Sequence, residues 1–261
     1  MNKLYSLLFG AILLGSHYTC NAQTYKIDTT TVTFETKSRD CLFSTVDPPS
    51  KELKKALKHY LKKTYQIKLK GVGFLTNKDF LNAQDVRCGS ISSKRLNIYA
   101  HITQAPTVSQ MSFFASFGYD IFVDPKIYPN EFGELKNIMN RFLLEYLNEY
   151  YSQEVINTSK KIKKNNDKRT KLAKRIDKNE RKASRADKRI KRLNDSSPAD
   201  SKEQIAVTDK TNSLTNKKTK LTNENQKASV TIQLIDDKLP KLNTKLKELL
   251  IKQKDLSRVV L

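Results

Sequence analysis

Histidine and cysteine are scarce in this chain, with three of each in 261 residues, and glycine is absent beyond Tyr151. Removal of the N-terminal leader described below would leave His59 and His101 as the only histidines, far apart in sequence. A zinc site or a histidine-based catalytic group then lacks its usual supply of ligands and bases. The sequence contains no nucleophile elbow, no metal-binding helix motif and no paired-carboxylate motif. Gly71 and Gly73 are not followed by Lys-Ser or Lys-Thr, so they read as a bend or bulge and not as a phosphate loop. Asp120, Asp124 and Glu131, near a strand-to-helix turn, read as turn and capping groups. The expectation is a non-enzyme with no catalytic residues, no metal and no cofactor.

Long apolar runs are also few. Lys3, the apolar stretch Leu4 to Leu14, and Ala22 before Gln23 form the three parts of an export leader. Its apolar run is far shorter than the roughly 20 residues a spanning helix needs, so cleavage after Ala22 is expected in place of anchoring. A lipid-modified Cys20 is the rival reading, and His17, Tyr18 and Thr19 fit that signal poorly. The mature chain is therefore expected in the periplasm or cell envelope, soluble or peripheral to a membrane. Two cysteines, Cys41 and Cys88, remain in it; an oxidising compartment permits one disulfide between them, with a pair of free thiols as the alternative.

The formal charge is +22 and unevenly distributed. The first 150 residues hold 19 basic and 13 acidic side chains, and the remainder hold 30 and 14. Such a tail in a cytosolic protein would suggest nucleic acid. Export shifts the expectation to anionic lipid or polysaccharide and away from nucleic acid. A merely solvated, lysine-rich helical surface is the plain alternative.

Residues 23–150 read as an α+β head. Val32 and Phe34 alternate with polar residues over Thr30 to Glu35, a strand pattern. Leu53, Ala56, Leu57, Tyr60 and Leu61 then share one face of an amphipathic helix. Ile67 to Leu75 reads as extended. Arg95 to Thr103 and Gln110 to Val123 both alternate with period two, and a hairpin between them sets Ile98 against Ala115, Ala100 against Phe113 and Tyr99 against Phe114. A helix capped by Asn130 follows, with Leu135, Ile138, Met139, Phe142 and Leu143 on its buried face. The predicted order is βαβββα with a mainly antiparallel sheet and both helices on the Leu96 and Phe113 face. Tyr99, Phe114 and Phe122 would face away from the helices, as a possible partner surface.

Residues 151–261 read as a long antiparallel coiled-coil hairpin, with arms at about 151–194 and 202–261. The first seam runs from Val155 through Ile162, Leu172, Ile176 and Ile190 to Leu193, diluted by polar residues. In the second arm Val207, Leu214, Leu221, Ala228, Ile235, Leu242, Leu249 and Leu256 lie seven apart, a strong heptad signal. The one helix-breaking cluster, Asp195 to Ser201, lies between the arms. The second arm is the longer, so Leu249, Leu250, Leu256, Val259 and Val260 are expected to return to the head beside Phe142 and Tyr146. Pro240 predicts a kink near the junction, with Leu239 opposite Thr158.

The run ELKKALKHYLKKTYQIKLKG from Glu52 to Gly71, the run NRFLLEYLNEYY from Asn140 to Tyr151, and NAQ around Ala22 give the chain a resemblance to an uncharacterised family of exported Bacteroidota proteins. That resemblance implies an α+β head with a C-terminal coiled coil and an envelope address, and it supplies no catalytic residues. The basic helical tail is also similar in architecture to periplasmic holdase chaperones, although here the hairpin follows the head. The expected function is an exported interaction or scaffold protein whose hairpin serves as spacer or docking arm for a protein partner. A binder of anionic envelope components or a holdase comes second, and a small hydrolase third.

Overall fold

The computed structural model describes residues 25–71, 79–118 and 120–259. The leader with Cys20 and Ala22, and also Gly73, Leu75, Tyr119 and Val260, lie outside the described residues.

The head is a six-stranded antiparallel sheet backed by helices, followed by a long helical hairpin. Its elements are β1 (Asp28–Phe34), β2 (Lys37–Val46), α1 (Ser50–Tyr65), β3 (Lys70–Gly71), β4 (Phe80–Cys88), β5 (Ser92–Gln104) and β6 (Ser109–Ser116). Two helices complete the chain, α2 (Pro129–Asn194) and α3 (Ser201–Val259). The sheet order is β1-β2-β6-β5-β4-β3. The β5–β6 hairpin has the predicted register, with Ile98 opposite Ala115, Tyr99 opposite Phe114 and Ala100 opposite Phe113.

β2 and β4 lie outside the predicted strands, so the order is ββαββββα and not βαβββα. In β2 the polar stretch Lys37 to Asp40 masks an alternation that begins only near Cys41. In β4 the alternation is broken by a bulge between Ala83 and Val86, where Asp85 takes φ of 52° and is held by the Arg95 guanidinium. The predicted strand to Val123 also ends early, at Ser116. Gly118 at φ 88° and Asp120 at φ 65° turn the chain back, and the Val123 N–H bonds to the Ala115 carbonyl.

The core lies between the sheet and its helices. Leu42, Ile98, Ile102, Met111 and Phe113 meet Leu53, Leu57 and Leu61 of α1 and Leu135, Phe142 and Leu143 of α2 in one buried cluster. Asn130 does not cap α2. Pro129 occupies the first turn after Tyr128, and the Asp124 carboxylate accepts the N–H groups of Lys126 and Ile127 just upstream.

No break separates the last helix of the head from the first arm: both are α2, a single helix of 66 residues. The predicted boundary at 150 falls inside it. Along the hairpin Lys218 pairs with Asp187 near the turn, Asp236 with Arg169 midway, and Gln253 with Ser152 at the base. Equal steps along the two arms keep these pairs in register, so the seam has no slip. Asn179, buried at 5% exposure, donates its amide to Asn225 Oδ1 at 3.0 Å across the seam. Such a polar pair fixes register, because any slide would leave a buried amide facing an aliphatic side chain. The cross-arm pairs, Glu154 with Lys245 included, place Thr158 opposite the stretch from Lys241 to Lys247 and so beyond Leu239. The first turns of α3 extend past the end of α2, and the connector climbs beside them. α3 continues through Pro240.

At the base, Leu249 and Leu256 join the same buried cluster as Leu147 and Tyr151, with Leu256 only 1% exposed. The second arm thus returns to the head. Leu256→Ala is expected to cost about 2–5 kcal/mol. All phenylalanines and tyrosines lie at or before residue 151, so near-ultraviolet circular dichroism follows the head alone. By that signal, deletion from residue 249 onward should lower the melting temperature, and symmetric shortening of both arms near Ser196 should not. Equal melting of the full chain and the 249 deletion would contradict the docked base.

Candidate interaction surfaces

The far face of the sheet is closed, contrary to the expectation of an open surface. Tyr99 is 7% and Phe114 1% exposed, stacked at 5.0 Å between ring centroids, and Phe122 is half-buried beside them. Phe34 of β1 covers them, 4.8 Å from Tyr99 and 5.7 Å from Phe80. On a flat sheet β1 and β4 would be about 19 Å apart, at roughly 4.8 Å per strand. The sheet therefore curls over its outer face and makes a second small core there. The turn carrying Phe122 is tied down by Asp120, which binds Lys37 and Arg39, and the Arg39 guanidinium lies 4.1 Å over the Phe122 ring. Tyr99, Phe114 and Phe122 are structural.

The two cysteines do not form a bridge. Cys41 belongs to the outer-face cluster and Cys88 to the main core on the opposite side of the sheet, and both are free and buried. The sheet itself separates the sulfurs. Burial is the main cause that pushes the Cys41 thiol up to about 11, against a smaller lowering by a hydrogen bond with Ser112. Its thiolate fraction at neutral pH is very small, and thiolate is the reactive form.

A groove of about 360 Å³ opens between α1 and α2. Its floor is Tyr60, Phe142 and Tyr146, with Phe142 and Tyr146 parallel at 5.7 Å. Glu52, Glu145 and Glu149 rim it together with Lys55, His59 and Lys63, and Lys63 faces Glu145 at 4.0 Å. The Tyr146 hydroxyl is enclosed without a hydrogen-bond partner. Burial and then the negative charge of Glu52 raise its pKa, so it stays protonated. An amphipathic groove of this size suits a small ligand or one peptide side chain. The sequence signal for it was the i, i+4 aromatic pair Phe142 and Tyr146 on α2.

His101, the second histidine of the head, stacks on Phe80 at 4.0 Å. Burial lowers its pKa, with Asp79 opposing and Lys54 assisting. Asp124 supports the turn before α2, Asp120 anchors Lys37 and Arg39, and Glu131 lies in the first turn of α2. Among the described residues no three of His, Cys, Asp and Glu are grouped to hold a metal ion, and no helix is long and apolar enough to cross a membrane.

The junction between head and hairpin carries polar contacts that join distant parts of the chain. Asp47, in the turn between β2 and α1, accepts the Tyr151 hydroxyl at 2.7 Å and pairs with Lys252 of α3. One carboxylate thus links the sheet, the first arm and the second arm. Burial and this bond both raise the Tyr151 pKa, so the phenol remains the donor. One turn further out, the hydrogen bond from Lys245 holds the Glu154 carboxyl below its ordinary value. No local pattern marks the role of Asp47, because its partners lie more than a hundred residues away.

Comparison of the chain with protein-family models, with curated proteins and with solved structures finds no match in any of the three.

Two measurements check this geometry. Without reductant, alkylation should leave Cys41 and Cys88 unmodified in the native protein and label both after denaturation; a mass two hydrogens light that resists labelling would mean a bridge. His101 should titrate below the ordinary histidine value in an NMR titration, and Phe80→Ala should move it upward by opening the ring to water. A base with a depressed folded pKa stabilises the fold fully above the unfolded value of about 6.5, and that contribution is lost as pH falls below it. A His101 titration above 6.5 would reverse this sign.

Proposed function

We propose that this protein is a non-enzymatic exported interaction protein of the bacterial envelope, in which the head holds a rigid helical arm that docks another molecule. The observation that carries this reading is the mounting of the arm. A single helix passes from the core of the head along the arm as far as Asn194, and the returning helix is fixed to the same core by Leu249, Leu256 and the Asp47 pairs with Tyr151 and Lys252. A tail that only solubilised the head would need neither a seam held in register nor a second attachment. An arm that sets a distance or presents a surface needs both. The outer faces of the arm are mostly charged and polar, with Ile156, Ile205, Val230 and Leu234 exposed among them, and are left for contact.

The reading is tested by photo-crosslinking in living cells, with the reactive side chain placed at Lys178 on the arm or at Ile127, which is exposed on the head. Arm-directed adducts in the envelope fraction, on a chain that begins at Gln23, are the expected result. Adducts from the head alone, or an unprocessed chain in the cytosol, would overturn it.

A further inference from the structure

The cations of the hairpin are not shared evenly between its arms. Between residues 160 and 192 of α2 there are 17 basic and 4 acidic side chains, whereas the whole of α3 has 13 and 7. Their placement is periodic as well. Lys164, Lys171, Lys178, Arg185 and Arg192 recur every seven residues on the side of α2 opposite its buried seam, and all five are exposed. None of the five has an ion-pair partner among the described residues. Lys160, Lys174, Arg181 and Lys188 interleave with them at steps of three and four, and Asp167 is the single acid in the row. The result is a ridge of cations about 48 Å long at 1.5 Å per residue. The matching face of α3, from Ala206 to Thr244, sets Lys220, Lys227 and Lys241 against Asp209 and Asp237, with exposed Val230 and Leu234 among neutral residues. A surface that was basic only from overall composition would show the ridge on both arms.

The shape of the ridge selects its partner. A strict seven-residue seam makes the two helices supercoil, with a pitch of about 140–210 Å, so the ridge winds through roughly a quarter to a third of a turn along its length. A flat bilayer would touch only part of it, and between Lys160 and Arg192 no large apolar side chain is exposed for insertion. Duplex DNA, with a persistence length of about 50 nm, is too stiff to follow it without a bending cost. Single-stranded nucleic acid is gripped largely by base stacking on aromatic side chains, and no aromatic residue follows Tyr151. A flexible chain with regularly spaced anionic groups and no bases meets every condition.

Resting on the docking-arm reading above, we propose that the outward face of α2 from Lys160 to Arg192 is a track for a flexible acidic polysaccharide, held by charge along the polymer. The probe is polygalacturonate, titrated into the full chain at several salt concentrations. Two variants of equal charge are compared with the parent: K171Q/K178Q/R185Q/R192Q on α2 and K210Q/K220Q/K227Q/K241Q on α3. Glutamine keeps helix propensity close to that of lysine and arginine, and equal helicity by circular dichroism confirms that both variants fold. The α2 variant should bind at least about tenfold more weakly at low salt and lower the log–log salt slope by roughly three, from about 0.7 per cation removed. The α3 variant should stay within about twofold. Equal losses in the two variants would show attraction to net charge alone and would overturn the track. Tighter binding to phosphatidylglycerol vesicles or to a single-stranded oligonucleotide than to polygalacturonate would overturn the choice of polymer. Arm crosslinks in cells with no polygalacturonate binding would sink this proposal and leave the docking arm standing, whereas loss of the crosslinks themselves would remove the reading beneath it.

Discussion

The attachment of the hairpin base to the head is the constraint on which the rest of the molecule depends. Two long helices with a polar-diluted seam have little reason to stay together on their own account. Between Val155 and Leu193 the first arm supplies mostly half-buried aliphatic and polar side chains, and the part-buried pair of Asn179 with Asn225 sets register without adding much stability. The apolar weight of the hairpin is at its base, where Leu249 and Leu256 enter the core that already holds Leu147 and Tyr151. Asp47 gives that contact direction, since its two partners come from opposite arms. Packing at the base and register along the arms therefore support one another.

What could be read in the sequence is what repeats over a long enough stretch. The heptad positions from Val207 to Leu256 are all at least half-buried, and the β5–β6 register follows from two period-two patterns that agree. Features decided by a single local departure were not legible. The bulge at Asp85 hid β4, the polar start of β2 hid that strand, and the reversal at Gly118 cut β6 short. Pro129 displaced Asn130 as the start of α2 because its fixed backbone angle suits the first helical turn.

The candidate surfaces show the same division. The far-face orientation of Tyr99 and Phe114 follows from alternation, but their burial depends on the curl that brings Phe34 across the sheet. Curl is a property of the whole sheet and leaves no mark on any one strand. The separation of Cys41 from Cys88 has the same origin: facing direction is local, and which core each thiol enters is not. The cation ridge, by contrast, is fully written in the heptad spacing of α2 once the seam has fixed which side faces outward.

The continuity of α2 through the edge of the head also makes the arm a lever. From Tyr151 to Asn194 it extends about 65 Å beyond its fulcrum at 1.5 Å per residue, so a ten-degree tilt at the base would sweep the tip through roughly 11 Å. The compliance of a few contacts around Asp47 and Leu256 thus sets the search volume of everything the distal arm carries. A softer base would widen that volume and slow any partner's capture in a single orientation. A stiffer one would turn the head's own position on a surface into a fixed standoff for the tip.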